Sequence, residues 1–240
     1  QKVALGDDSG NLLTVQLVGF VPEQGVGGGV VGLDDAVDVD GQDGIGARLQ
    51  NGADEDRLVP ERGRVLFVGL PAAEEPRAAG MYDPGPDGNY TPRMPENTSA
   101  HRAAGIPGGG GYATARAMAA FYQMLAQGGT LNGVRLFAPR TIEFVTRNFT
   151  GDQVDGYMGM PMHRGLGPHL RGTTETIRGL GSLAHPRTFG HGGVGSSYCW
   201  ADPVSGVSFA FLSNARHENP FHEPRMDTLS NFVHTAILAD

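Results

Sequence analysis

Lysine is almost absent from this sequence. Of its 18 basic residues, Lys2 is the only lysine and all the others are arginine. Any chemistry that needs a lysine amine must therefore use Lys2 or draw on another chain. Cysteine occurs once, at Cys199, which excludes an internal disulfide and leaves the redox compartment open. Positive charge is scarce as well. The formal net charge of -8 argues against a nucleic-acid partner, because binding phosphate needs clustered Lys and Arg. No apolar run approaches the ~20 residues of a membrane span, so none is expected. No secretory signal opens the chain at Gln1-Lys2-Val3, which leaves the compartment unassigned and favours the cytoplasm slightly. Bulk is missing from the first quarter, where Phe20 is the only aromatic among residues 1–64.

What remains suits a folded enzyme-like protein. The chain has 240 residues, 39% of them apolar and 18% charged, which is enough to bury a core and too apolar for disorder. Its character changes near residue 65. Residues 1–64 form an atypical segment rich in Gly, Asp and Val, with a short strand expected around Leu12–Phe20 and loop elsewhere. Residues 65–240 read as a packed domain. "VLFVGLP" (Val65 to Pro71) predicts a strand end, "PAAEEPRAA" a short helical turn, and Tyr82 to Ala100 a polar Pro/Gly loop. Thr114 is placed to cap a helix that carries Met118, Phe121, Tyr122 and Leu125 and stops at Gly128-Gly129. A second helix is expected from Pro139 to Asn148, with Ile142 and Val145 buried. The Gly-broken stretch from Gly156 to Gly172 is expected to hold a strand. Residues 188–214 read as two strands joined by a turn, with His191 at the start of one. The return strand, Val207 to Leu212, is expected to be buried on both faces. The last helix is expected from Arg225 to Leu238, with Met226, Leu229, Phe232, Val233, Ala236 and Ile237 at helical spacing.

Several chemistries are weak on their own residues. The glycine run 108–111 precedes a helix but lacks a following Lys-Ser or Lys-Thr, so it is not a phosphate loop. Gly27 to Gly32 matches Gly-x-Gly-x-x-Gly without the strand and helix that give the motif meaning. The pairs His163/His169 and His217/His222 lack helical ligand spacing, so neither a metal nor a cofactor is expected. Cys199 sits mid-strand beside Trp200, where a packing thiol is favoured over a nucleophile. His191 is set among Gly190, Gly192 and Gly193. Small residues at a strand's mouth let a substrate or another backbone approach. His191 is then positioned to donate to a substrate carbonyl or carboxylate, and the Val194 N–H to act as an oxyanion donor. The bland alternative is that the glycines relieve packing and His191 bonds a nearby carbonyl.

Taken together, "FGHGGVGSSYCWADPVSGVSFAFLSN" resembles the late strand pair of the serine β-lactamase-like superfamily. That superfamily includes class C β-lactamases, penicillin-binding proteins and family VIII esterases. "GIPGGGGYATARAMAAFYQMLAQGGTLNGVRLFAPRTIEFVTRN" is similar to its mid-region, and "LFVGLP" before Glu74-Glu75 to an actinobacterial esterase-like branch. The resemblance covers about Val65 to Leu238. It implies an α+β, β-lactamase/transpeptidase-like fold, an antiparallel sheet flanked by helices, incomplete on the amino-terminal side. It also implies a serine hydrolase, esterase or β-lactamase-like, that acts through an acyl-enzyme on a small ester or amide. His191-Gly192-Gly193 matches the family's third motif in its histidine form, which is closer to esterases than to β-lactamases. By that match His191 contacts substrate and Val194 supplies an oxyanion N–H.

The other two family motifs are not in the sequence. No serine precedes Lys2 by three residues, and none of the six tyrosines begins Tyr-x-Asn or Tyr-x-Ser. "GLDDAVDVD" (Gly32 to Asp40) is faintly similar to the stretch that follows the family's catalytic helix. A longer natural protein, or a shifted reading frame over residues 1–64, is favoured as the explanation. A non-catalytic relative that binds a ligand or a protein is the alternative. A missing amino-terminal portion or a second copy of the chain is the expected partner. A further reading is that residues 65–240 cannot fold alone, because half of the family's helical domain is absent and apolar surface would be left exposed.

Overall fold

The computed structural model describes residues 3–6, 12–20, 66–156, 158–173, 179–218 and 222–237, with backbone alone for the first two stretches. The motifs weighed at Gly27 to Gly32 and Gly32 to Asp40, and Lys2 itself, lie outside these residues. In chain order the elements are β1 (Val3–Gly6), β2 (Leu12–Phe20), β3 (Leu66–Val68), a 3-10 helix (Ala72–Arg77), β4 (Tyr82–Pro84) and β5 (Tyr90–Pro92). Next come α1 (Ser99–Ala103), β6 (Gly111–Ala113), α2 (Ala115–Ala126), β7 (Thr130–Leu131), β8 (Val134–Arg135) and α3 (Pro139–Val145). The last are β9 (His169–Leu170), β10 (Phe189–Gly192), β11 (Ser197–Ala201), β12 (Ser208–Ser213) and α4 (His222–Thr235). Among the described residues no helix is long and apolar enough to cross a membrane.

Six strands form one antiparallel sheet in the order β1-β2-β12-β11-β10-β9. The strand expected around Leu12–Phe20 is β2, and it pairs with β12 through Val18 and Ala210. Strands β11 and β12 send alternate residues to opposite faces. Cys199, Ala201 and Ala210 meet α2, while Tyr198, Trp200, Phe209 and Phe211 meet α4. Ser208, Phe209, Ala210 and Phe211 are all buried, as a central strand covered on both faces requires.

Helix α2 follows its local signals. The Thr114 hydroxyl accepts from the Ala117 N–H, and the chain leaves the helix through Gly128 and Gly129, both at positive φ. Its most buried stripe is Ala115, Ala119 and Tyr122, with Met118, Phe121 and Leu125 partly buried around it. Small residues on both helix and sheet let the two backbones come close. At that contact the Ser208 hydroxyl bonds the Ala119 carbonyl at 2.9 Å, and Gln123 Nε2 donates to the Gly206 carbonyl at 2.9 Å.

Helix α4 begins three residues before the expected Arg225, with Pro224 in its first turn where the missing N–H costs nothing. Its buried face is partly polar. Met226, Ser230 and His234 lie under the sheet, whereas Phe232 and Ala236, expected in the core, are exposed. The exchange is explained by Trp200, which is fully buried. Its indole N–H donates to Ser230 Oγ at 3.0 Å, and Ser230 Oγ donates to the Gly179 carbonyl at 2.6 Å. The His234 ring stacks on the indole at 4.4 Å, and its Nε2 donates to the Leu180 carbonyl at 2.8 Å.

Three other sequence expectations change. Residues 188–214 hold three strands, because β10 is a separate strand and His191 lies near its end. Its Gly-His-Gly run carries no alternation to mark it. The loop from Tyr82 contains the β4–β5 hairpin, whose turn is held by Asp87 accepting from Asn89. The second helix stops at Val145, short of Asn148, with Ile142 buried and Val145 half-buried.

Replacing Ser230 with Ala leaves the Trp200 N–H and the Gly179 carbonyl buried without this partner. The expected loss is about 1–3 kcal/mol, read from urea unfolding. Asp227 on α4 accepts from the Gly181 N–H at 3.3 Å, yet burial pushes its carboxyl from 3.8 up to about 6. A carboxyl raised by folding loses stabilising effect as pH climbs from the unfolded to the folded value, and the deficit persists above it. Asp227→Asn keeps an acceptor without the charge. It is expected to stabilise the chain by ~1 kcal/mol at pH 7.5, allowing for solvent access, and to have no effect near pH 4. Unfolding midpoints of both proteins at the two pH values check this.

Candidate active site

Strand β10 runs between β9 and β11, with Gly190 opposite Trp200 and His191 opposite Cys199. Gly190 is dictated by packing. A Cβ there would stand 2.2 Å from the Cys199 carbonyl oxygen and 2.7 Å from Trp200 Cβ. Gly190→Ala is therefore expected to cost at least ~2 kcal/mol, read as a lowered urea midpoint. The bland reading thus holds at Gly190, and it holds for His191 as well, whose ring bonds the neighbouring Gly192 carbonyl.

His191 is exposed. Its Nδ1 lies 2.7 Å from the Gly192 carbonyl oxygen, so Nδ1–H donates there. Its ring lies against that of His169, with centroids 4.3 Å apart. His169 Nε2 accepts from Arg164 Nη1 at 2.9 Å. Arg164 in turn is paired with Asp155, through Nε at 2.9 Å and Nη2 at 2.8 Å. This row of side chains carries no sequence signature, because it forms only when the chain folds Arg164 back beside His169.

Beyond β10 the chain turns through Gly193, Val194, Gly195 and Ser196 into β11. The Gly193 N–H donates to the Ser197 carbonyl at 2.9 Å. Val194 is 67% exposed, and its N–H has no acceptor among the described residues. The turn is tied from below. Gly195 sits at φ +78°, and a Cβ there would stand 2.0 Å from the His217 carbonyl oxygen. The Gly195 carbonyl accepts from the His217 N–H at 2.9 Å and from Arg225 Nη2 at 3.4 Å. The Ser196 carbonyl accepts from the Ser213 N–H at 2.9 Å and from its hydroxyl at 2.6 Å.

The remaining candidates fall elsewhere. Burial, reinforced by the Arg225 charge, brings the His222 imidazole down to about 4, and its Nδ1 accepts from Arg225 Nη2 at 2.9 Å. Burial lowers His217 as well. Asp152 lies 3.5 Å from His163. Among the described residues no group of three or more His, Cys, Asp or Glu is placed to hold a metal. Cys199 is buried under α2, and burial pushes its thiol up to about 12, so it packs rather than reacts. A cavity of about 730 Å³ opens at the Phe189 end of β10, lined by Leu125, Ile142, His163, Leu170, Arg187 and Phe189 among others. Neither His191 nor Val194 borders it. A short run of backbone thus offers an exposed imidazole and a neighbouring peptide N–H on a braced turn. It is a surface suited to holding a carbonyl group and the oxyanion made from it.

Comparison with known proteins agrees with this architecture. Esterase/beta-lactamase LipL of Mycobacterium tuberculosis is 35% identical over 111 residues, covering 46% of this chain and 24% of LipL. A penicillin-binding protein homolog from Caulobacter crescentus superposes with a TM-score of 0.54 at 28% identity, covering 70% of this chain and 48% of that one. A family VIII carboxylesterase superposes with a TM-score of 0.54 at 26% identity, covering 70% of this chain and 47% of that one. The chain thus spans about half the length of these structures and about a quarter of the curated relative. The Beta-lactamase family model matches residues 60–229, and with its sheet packed between α2 and α4 the chain belongs to that family of β-lactamase-like serine hydrolases.

Proposed function

We propose that this chain forms the strand wall and oxyanion side of an ester-hydrolysing cleft, with the attacking serine and its lysine supplied by sequence that these 240 residues do not carry. The carbonyl of a small ester or amide lies against β10, and His191 contacts the substrate. The serine Oγ bonds to the carbonyl carbon and gives its proton to the lysine, and the carbonyl oxygen becomes an oxyanion that accepts from the Val194 N–H. The carbonyl re-forms as the carbon–oxygen bond to the alcohol breaks, and the alcohol leaves with the proton the lysine returns. Water then cleaves the acyl-serine by the same steps. The observation that carries this reading is the Val194 N–H, free of any acceptor among the described residues and three positions along the chain from the exposed His191.

A second reading rests on the absence of Ser-x-x-Lys and Tyr-x-Asn/Ser from the sequence. In it the same wall holds a ligand or a protein reversibly, without chemistry.

A fluorophosphonate probe separates the two. The complete product of the gene is expected to be labelled on a serine of a Ser-x-x-Lys sequence, while the 240-residue chain alone is not. In that complete product, His191→Ala is expected to lower kcat/KM for p-nitrophenyl butyrate about tenfold, the loss of one substrate contact. No labelling of the complete product would sink the hydrolase reading and favour reversible binding. Labelling of a serine within these 240 residues would overturn the claim that the nucleophile lies elsewhere.

A further inference from the structure

Val194 stands between Gly193 and Gly195, and neither neighbour restricts the backbone with a side chain. The direction of the Val194 N–H therefore depends on what ties the turn from outside. Upstream, the Gly193 N–H is held by the Ser197 carbonyl. Downstream, the Gly195 carbonyl accepts from the His217 N–H at 2.9 Å and from Arg225 Nη2 at 3.4 Å. Arg225 is a side chain of α4, and its donor nitrogen has a second partner.

Arg225 Nη2 carries two hydrogens and has two acceptors. One is the Gly195 carbonyl, and the other is His222 Nδ1 at 2.9 Å. An arginine can only donate, so His222 Nδ1 presents a lone pair. An imidazole protonated on both nitrogens has no lone pair, so this bond exists only with the neutral ring. The Phe211 ring faces the guanidinium at 5.2 Å and steadies its plane. One nitrogen is thus shared between the turn and the ring, and whatever drives it off His222 also draws it from Gly195.

The surroundings keep His222 uncharged near neutral pH. The residue is buried, and burial with the Arg225 charge brings its imidazole down to about 4. Two other titratable groups face this corner. His217 is lowered by burial as well, and Tyr90 of β5 meets the His217 ring edge-on at 6.4 Å and acts on Arg225. From β11 the Ser197 backbone lies beside the His222 ring. As pH falls through about 4 the ring gains a proton, Nδ1 ceases to accept, and two cations stand where a bond was. They repel, and the long arginine stem gives way.

Building on the hydrolase reading above, we propose that Arg225 is the positioning residue of the Val194 N–H, held on the Gly195 carbonyl by neutral His222, and that a proton on His222 releases the turn. The oxyanion donor is ordered only while His222 is uncharged, which gives the cleft an acid limit independent of its nucleophile.

The test uses the 240-residue chain, labelled with ¹⁵N, between pH 7.5 and pH 3.5. At pH 7.5 the His222 ring is expected to carry its proton on Nε2 and none on Nδ1. The Val194 amide is expected to show an order parameter of about 0.85, as rigid backbone does. On acidification that value is expected to fall below about 0.6 in step with the His222 titration, while Ser230 on α4 stays ordered. His222→Asn sets a carbonyl acceptor near the place of Nδ1 and takes up no proton. It is expected to keep Val194 rigid at pH 3.5. His217→Asn removes the neighbouring titration and is expected to leave the transition in place. At pH 7.5 Arg225→Met is expected to loosen Val194 alone, and Arg225→Gln, whose amide still donates, to restore part of the order. Should Arg225→Met disorder α4 too, the His222→Asn comparison decides, because it keeps the arginine. In the complete gene product Arg225→Met is expected to lower kcat for p-nitrophenyl butyrate about tenfold with KM unchanged. A rigid Val194 or an unchanged kcat in Arg225→Met, a transition that persists in His222→Asn, a proton on His222 Nδ1 at pH 7.5, or a Val194 that loosens only when Ser230 does would each overturn the proposal. Failure of the complete product to react with the fluorophosphonate removes the hydrolase reading alone, since order and titration are measured without any nucleophile.

Discussion

Everything described around the site depends on how Trp200 is enclosed. It is the only tryptophan, and no part of it reaches solvent. On one side it meets Gly190, where only a hydrogen in place of a side chain allows β10 to lie against β11. On the other it meets α4, where Ser230 takes the indole proton and His234 covers its face. A large aromatic with one polar atom needs both apolar cover and a hydrogen-bond partner. Supplying both fixes the helix against the sheet in one position. The same helix carries Arg225 to the Gly195 carbonyl, and the same strand pair carries His191 to its edge. The site is therefore held by two extensions of a single packing contact.

The turn after β10 shows how a loop acquires rigidity, which the oxyanion role proposed for Val194 requires. A peptide N–H stabilises developing charge only if it already points the right way. Here the carbonyls on the far side of Val194 are tied down, at Gly195 by His217 and Arg225 and at Ser196 by Ser213. Arg225 lies over the Phe211 ring at 5.2 Å, so its charge is held by an aromatic face as well as by carbonyl oxygen. The Val194 side chain faces solvent while the carbonyls that follow it are tied down.

Much of this fold could be read from local chemistry. Thr114 as a cap and Gly128-Gly129 as a stop are decided by a few neighbouring atoms, and α2 lies between them. Val207 to Leu212 announced a strand covered on both sides, and burial of Ser208 to Phe211 agrees. Reading failed where long-range partners set the outcome. Ser230 and His234 break an apolar helical stripe, so periodicity assigned Phe232 to the core, although Trp200 demanded the polar pair instead. Strand β10 lacks alternation because two of its four residues are glycine, chosen for β11 rather than for strand propensity. That His191 stands at the mouth of a strand was legible from the glycines on either side of it. Its proton placement was not, because that depends on which carbonyl the folded backbone turns toward it.

The sheet order carries a consequence for how this chain acquires its structure. Strand β12 occupies an inner position, yet it follows the five other strands of its sheet in the chain. Val18 meets its partner Ala210 only after those strands have been made. Until then the backbone of β2 has only β1 beside it, and the tryptophan pocket has no floor, since α4 comes later still. Contacts so far apart in sequence make assembly slow. The order of the strands thus ties completion of the sheet around Trp200 to arrival of α4.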